Sequence, residues 1–213
     1  PAYAYMYGLP YQYYEKFRVR RYGAHGTSHQ FVAGVGAKLA GLDVNNAKII
    51  TCHLGAGSSI CAIQNGKCVD TSMGITPLDG LVMGTRCGTL DPAVVEFICN
   101  RKNMTPTEVL TMMNKKSGLL GISGKSSDCR DIDDLAANGD ENAILAQEML
   151  IYGIKKYIGS YAAAMGGVDV ICFTAGIGEN NADLRARVID GMEFLGAKID
   201  PEKNKTRKEA AIS

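Results

Sequence analysis

The chain has 213 residues, 46% of them apolar and 21% charged, enough to bury a sizeable core in one large domain or two small ones. Its formal net charge is +1. That balance excludes a nucleic-acid or membrane-surface partner recruited by bulk charge, so any bound anion must be gripped locally. The sequence shows no signal peptide and no run of ~18 apolar residues of the kind that spans a bilayer, and a cytoplasmic location is expected. Seven cysteines stand at 52, 61, 68, 87, 99, 129 and 172, with no Cys-x-x-Cys pair among them. Their pattern suits reduced, mostly buried thiols rather than a disulfide scaffold or a zinc knuckle. The chain opens on Pro1 and ends on "KNKTRKEAAIS" without a closing element, so a piece of a longer protein is expected.

In chain order, the opening "PAYAYMYGLPYQYY" carries six tyrosines. Tyr3, Tyr5 and Tyr7 alternate in the manner of a short strand, and Pro10 opens a helical stretch. After "RRYGAHG", Thr27 is placed to cap a helix running to about Ala40, although Gly34 and Gly36 weaken it. "AKIITCHL" reads as a buried strand. "SSICAIQNGKCVDTS" reads as two strands joined at Asn65-Gly66, a strong two-residue hairpin signal. Residues 47–72 are therefore three consecutive antiparallel strands.

Helices follow. "DPAVVEFICN" has Asp91 as cap and Pro92 in the first turn. "TPTEVLTMMNKK" carries a capping box of Thr105 and Glu108. A long helix is expected from Glu141 to Met165, with Leu150, Ile154, Tyr157, Ile158, Tyr161 and Met165 on one face. "VDVICFT" reads as a strand, "AGIGEN" as a glycine turn, and residues 182–192 as an amphipathic helix. A hairpin sheet, then helices, then a strand-turn-helix unit is an α/β pattern.

Five stretches could carry chemistry. In "CHLGAGSS", His53 stands before Leu54, Gly55, Ala56 and Gly57. A glycine turn brings backbone N–H groups close to an anion, and the ring beside it adds a directional donor. In "RRYGAHGTSH", His25 lies between glycines and reads as a ligand-facing donor. His29, four residues on, could share a metal with it, but no third ligand is apparent and a structural role suits His29 better. "GLVMGTRCGTLDP" sets Arg86 in a glycine-flanked loop, where a guanidinium fork can grip phosphate or carboxylate. In "GISGKSSDCRD", Asp128 could hold ribose hydroxyls and Arg130 could stack on a base. The competing use of that stretch is helix capping, with Asp131 the better-placed capper. In "FTAGIGEN", a Gly-x-Gly turn enters a helix, a geometry that attracts phosphate. No nucleophile-base pair, metal cluster or basic stripe accompanies these features. The set suits phosphoryl transfer, which depends mainly on positioning and charge neutralisation.

These motifs, with "TSMGITPLDGLVMGTRCGTLDP" between them, resemble the acetate kinase family in order and spacing over essentially all 213 residues. The resemblance implies a ribonuclease H-like, actin-like ATPase domain, α/β, with a mixed sheet flanked by helices. It implies Mg2+-dependent, reversible transfer of the ATP γ-phosphoryl to acetate, giving acetyl phosphate and ADP, in a cytoplasmic homodimer. It assigns His25, His53 and Arg86 to the phosphoryl group in flight. Residues 53–57, Asp128, Arg130, Gly176, Ile177, Gly178 and Asn180 go to the nucleotide, and Pro77 and Ala24 to the pocket for the acid's methyl group. The family usually has Asn at the position of Ala56 and an aromatic residue at that of Ala24, so a longer acid such as propionate or butyrate could be admitted. The chain would then match about the C-terminal half of the family. Residues 1–45 would border an N-terminal domain that precedes them, and residues 46–213 would form the nucleotide-binding domain. No metal ligand is expected in this chain. A non-catalytic nucleotide-binding module is the reading from another class.

Overall fold

The computed structural model describes residues 1–213. Its centre is a four-stranded sheet of β1 (Lys48–His53), β2 (Ser59–Gln64), β3 (Lys67–Thr71) and β4 (Val170–Thr174), in the order β3-β2-β1-β4. β1 pairs antiparallel with β2 and parallel with β4, and β2 pairs antiparallel with β3, so the sheet is mixed as expected. Asn65 and Gly66 sit at φ 53° and 72°, the left-handed conformations that a tight two-residue hairpin turn requires.

Both faces of the sheet are covered, which is why β1 and β2 read as nearly continuous apolar runs. Alternation still sorts their side chains. Ile50, Cys52, Ile60 and Ala62 face the larger core, and Ile49, Cys61 and Ile63 face a smaller cluster with Ala33 and Ala37. The smaller cluster is closed by α3 (Gly26–Leu39), which follows the short helices α1 (Ala2–Tyr5) and α2 (Tyr11–Phe17). α3 packs on β1 and β4.

Beyond the hairpin come α4 (Ala93–Lys102), α5 (Pro106–Lys115), α6 (Gly118–Ser123), α7 (Cys129–Ala137) and α8 (Glu141–Met165). After β4 come α9 (Ala175–Asn180) and α10 (Ala182–Ile189). α8 is the spine of the larger core. Its Leu150, Ile154, Ile158, Tyr161 and Met165 are buried against the sheet and α6, α7 and α10. Fully burying a side chain such as Ile154 or Ile158 contributes roughly 1.5–3 kcal/mol. Asp140 caps the start of α8 by accepting from the Ala143 amide, and Gly166, at φ 68°, ends it.

Several expectations are met at the level of single residues. Thr105 and Glu108 form the capping box of α5. Asp91 accepts from the Ala93 amide at 2.9 Å and so acts as the cap of α4, whose named span begins one residue later than expected.

Five expectations are corrected. Residues 2–5 form a helical turn rather than a strand, leaving only an isolated bridge from Met6 to Arg20. Tyr5 there lies under the Arg20 guanidinium, 3.8 Å from ring centroid to Cζ, and within 3.2 Å of the Tyr14 hydroxyl. α3 begins at Gly26, with His25 in left-handed backbone at its head and Thr27 inside it. Gly36 does not weaken α3. A Cβ there would fall 2.3 Å from Cys172 Sγ, so the helix needs glycine to approach β4. Asp128, not Asp131, caps α7, because its carboxylate accepts from the Arg130 amide while Asp131 accepts from the Ser126 hydroxyl. All seven cysteines are free thiols. Only Cys52, Cys61 and Cys129 are buried, and Cys68 is exposed.

Candidate functional site

The C-terminal ends of β1 and β4 meet the start of α3, and the candidate site lies there. β1 ends at His53, and its chain turns through Leu54, Gly55, Ala56 and Gly57 before β2 begins. The Leu54 amide donates to Thr174 O at 3.0 Å, which ties the turn to β4. The Gly55 amide donates to Ser58 Oγ at 3.2 Å. The amides of Ala56 and Gly57, at the tip, have no acceptor within the protein. A turn with unengaged N–H groups is what an anion-binding loop requires.

Three imidazoles surround this turn. His25 and His53 stack, with centroids 3.9 Å apart and planes 16° from parallel. Each is held through its Nδ1 by a serine hydroxyl, His25 by Ser59 at 2.8 Å and His53 by Ser28 at 2.9 Å. His29 is 3% exposed and bridges Thr51 Oγ1 at 2.7 Å and Ser59 Oγ at 2.8 Å. It is a structural histidine, and its role is to fix Ser59. If Thr51 O–H donates to His29 Nδ1, His29 Nε2–H donates to Ser59 Oγ and Ser59 O–H donates to His25 Nδ1. That order leaves His25 Nε2–H as the free donor.

The electrostatics agree with neutral rings. Burial pushes the His53 imidazole below its ordinary value of 6.5, against a smaller opposing effect of Glu179. Burial, then the neighbouring His53 and Arg86, lower His25. Burial lowers His29 further, to about 4. Around pH 7 the histidines therefore supply directed N–H groups, and the fixed positive charge comes from Arg86.

Arg86 reaches the same turn from the loop after β3. A Cβ placed on Gly57 would lie 3.4 Å from Arg86 Nη1 and 3.8 Å from His25 Cε1, so guanidinium, imidazole and bare turn converge on one point. Arg86 Nη1 also donates to Pro77 O at 3.1 Å, which brings Pro77 to the edge of this group. Ala24 precedes His25 directly and is half-buried. The loop is firmly seated. Met83 and Arg86 exchange a backbone bond, the Leu119 amide donates to Met83 O, and a Cβ on Gly118 would meet Met83 O at 2.0 Å.

The "AGIGEN" stretch is placed beside the turn, with a Cβ on Gly55 lying 3.7 Å from that of Ala175. It is a short helix, not an open glycine turn. Ala175 stands at φ 65°, a strained conformation for a residue with a Cβ, held because its amide and the Thr174 hydroxyl both donate to Glu179 Oε1. The Ile177 and Gly178 amides both donate to Leu54 O. Asn180 donates to Gly176 O. The Ile177 and Gly178 amides, in a turn expected to line the nucleotide site, are thus already used within the protein.

Asp128 and Arg130 stand at the rim. Gly84 connects them to the site, since its Cβ would meet Ser127 O at 2.9 Å and Ala56 O at 3.8 Å. The two side chains pair with each other, Arg130 Nη2 lying 2.6 Å from Asp128 Oδ2, with the guanidinium largely exposed. Hydrogen bonds from the Arg130 side chain and amide hold the Asp128 carboxyl at about 2. No three His, Cys, Asp or Glu side chains are grouped to hold a metal ion.

Sequence reasoning missed Ser28, Thr51 and Ser59, the hydroxyls that orient the rings. A serine in a strand or in a helix's first turn carries no signal of its partner, and the histidine at the other end is 22 to 34 residues away. It also missed Glu179, whose spacing from Thr174 by five residues only makes sense once α9 is formed.

The family model described as "Acetokinase family" matches residues 1–213. The acetate kinase of Methanosarcina barkeri is 58% identical over 207 residues, covering 97% of this chain and 51% of that protein. The acetate kinase of Thermoanaerobacterium thermosaccharolyticum is 56% identical over 213 residues, covering 100% and 53%. Among solved structures, Porphyromonas gingivalis acetate kinase superposes with a TM-score of 0.93 at 50% identity, covering 96% of this chain and 51% of that one. A propionate kinase from Francisella tularensis gives 0.91 at 45% identity, covering 96% and 53%. The chain thus spans about half the length of the curated relatives it matches. Its α/β architecture is the ribonuclease H-like, actin-like ATPase fold of these structures, and the chain belongs to the acetokinase family.

Proposed function

We propose that the intact protein of which this chain is a part transfers the γ-phosphoryl group of ATP to acetate, reversibly, giving acetyl phosphate and ADP. The observation that carries this reading is the convergence of His25, His53 and Arg86 on the bare amides of Ala56 and Gly57. The carboxylate acceptor is ionised at neutral pH, so no general base is needed. The difficulty is that two anions must meet, and preorganised donors relieve it by matching the charge that spreads over the phosphoryl oxygens. Arg86 carries the compensating charge. His25 and His53 donate N–H groups from fixed rings, and the 55–57 turn receives the nucleotide phosphates.

Asp128 and Arg130 hold the nucleoside, with residues 176–178 and Asn180 beside it. Pro77 and Ala24 wall the acid's alkyl group. Mg2+ is part of this proposal as the companion of the nucleotide phosphates. We place the protein in the cytoplasm as a homodimer, with residues 1–45 bordering an N-terminal domain.

A related reading is propionate as acceptor. It is favoured by the small side chain at Ala24 and by the close structural likeness to a propionate kinase. The test is a hydroxylamine trap for acyl phosphate, run on the full-length protein with MgATP and acetate, propionate or butyrate. Acyl hydroxamate from acetate supports the main reading, and a preference for propionate selects the second. No product from any acid, with ADP still bound, leaves a nucleotide-binding module without catalysis and defeats both.

A further inference from the structure

The β2–β3 hairpin holds a feature that plays no part in phosphoryl transfer. Cys61 and Cys68 approach to 3.3 Å between their sulfur atoms. They sit on the same face of the sheet. Cys68 opposes Ile63, and Cys61 lies two residues before Ile63 with its side chain in the same small cluster under α3. A bulge between Ala62 and Ile63 interrupts the register there, twisting the hairpin where the diagonal pair meets.

The two thiols differ in access. Cys61 is 4% exposed, while Cys68 is open to solvent on the edge strand. They also differ in acidity. The hydrogen bond from Cys61 pulls the Cys68 thiol down to about 7, while the same bond and burial push Cys61 up. An accessible, acidic thiol beside a sheltered one that keeps its proton is the arrangement of an attacking and a resolving cysteine. The other pairs do not share it, since Cys52 and Cys129 are buried and Cys172 meets the carbonyl of Val32.

We infer that Cys61 and Cys68 form a reversible redox site that closes to a cross-strand disulfide of the hairpin when the protein meets a hydroperoxide. Cys68 sulfur attacks the outer oxygen of the hydroperoxide. The O–O bond breaks, the alcohol or water leaves, and Cys68 becomes a sulfenic acid. Cys61 sulfur then attacks Cys68 sulfur. The S–S bond forms, the S–O bond breaks, and water departs with the Cys61 proton. In total two thiols are oxidised by two electrons and the peroxide is reduced by two, and a dithiol reductant reverses the result.

The chain supplies its own assay, because Lys67 lies between the two cysteines. Trypsin separates Ile49–Lys67 from Cys68–Arg86, and only a disulfide keeps those peptides joined. The folded protein is treated with near-stoichiometric hydrogen peroxide, alkylated and digested. The expected result is loss of two hydrogens by the intact chain and a joined peptide pair linked through Cys61. C68S should stay reduced, and C61S should stop at a Cys68 sulfenic acid captured by dimedone. Three results would overturn the proposal: seven thiols still alkylated, Cys68 driven to sulfinic acid while Cys61 stays free, or a bridge to Cys52 instead.

Discussion

The end of the candidate site proposed to take the phosphates and the end proposed to take the nucleoside are built in opposite ways. At the phosphate end, every ring is oriented by a hydroxyl from another element, two rings are stacked, and the amides at the turn tip are left unengaged. At the nucleoside end, Asp128 and Arg130 satisfy each other on an exposed rim, and Asp128 also caps α7. One end is organised before a ligand arrives, and the other must exchange an internal pair for external contacts. Preorganised donors raise the rate of a charge-moving step, whereas exposed pairs contribute little in water and can be traded at small cost.

Substitutions can break this contrast or sharpen it. The largest effect belongs to Arg86→Ala, which in the full-length enzyme should lower kcat by about 10^2–10^3, or ~3–4 kcal/mol of transition-state stabilisation. Nucleotide affinity should barely change. Equal loss of both in a kinetic and a binding assay would make Arg86 structural.

Next comes acid sensitivity through His29. The unfolded chain binds this proton near 6.5 and the folded chain near 4, so between those values the unfolded state holds more protons. Stability must therefore fall as the pH drops from 6.5 to 4, by about 3 kcal/mol in total. Denaturant midpoints measured across that window should show the slope in the native protein and a clearly smaller one in H29Q, the remainder belonging to His25 and His53, which burial also lowers.

Ser59→Ala removes the hydroxyl shared by His25 and His29 and should cost roughly 1–3 kcal/mol of stability, because it leaves buried imidazole nitrogens without partners. It should also lower kcat more than it raises KM for ATP. A KM effect alone would assign Ser59 to binding rather than to ring orientation.

At the other end, Asp128→Ala should cost about 1 kcal/mol through the lost cap of α7. Asp128→Asn keeps the cap and removes the ion pair, and thermal melting should scarcely register it. A large shift in Asp128→Asn would mean that the pair holds the rim together, contrary to the comparison drawn above.

Much of the framework was legible from local chemistry. Asn65-Gly66 marked the hairpin, Thr105 with Glu108 marked the start of α5, and the 3.6-residue period of Leu150, Ile154, Ile158, Tyr161 and Met165 marked α8. Each is a signal carried by residues within one or two turns of each other. The tyrosines at 3, 5 and 7 misled because alternation over three positions is too short to outweigh the aromatic and cationic contacts with Tyr14 and Arg20. "AGIGEN" misled in a different way. Glycine spacing suggested a phosphate-facing turn, but Leu54 O, brought there by the pairing of β1 with β4, and Glu179, brought round by the turn of α9, accept from its amides.

Composition and periodicity were sufficient for the α/β class and the identity of the charged and ring-bearing groups, because these depend on residue type and short-range order, and the resemblance of the ordered motifs pointed to the family. Convergence was another matter. His25, the pair His53 and Gly57, and Arg86 come from three separate stretches, and only the sheet register, the docking of α3 through Gly36 and the seating of the 83–88 loop bring them to one point. The sequence favoured a structural His29 and a ligand-facing His25, and packing supplies the reason. Burial and the placement of Thr51, Ser59 and Ser28 decide which ring is locked inside and which pair of rings is left facing the turn.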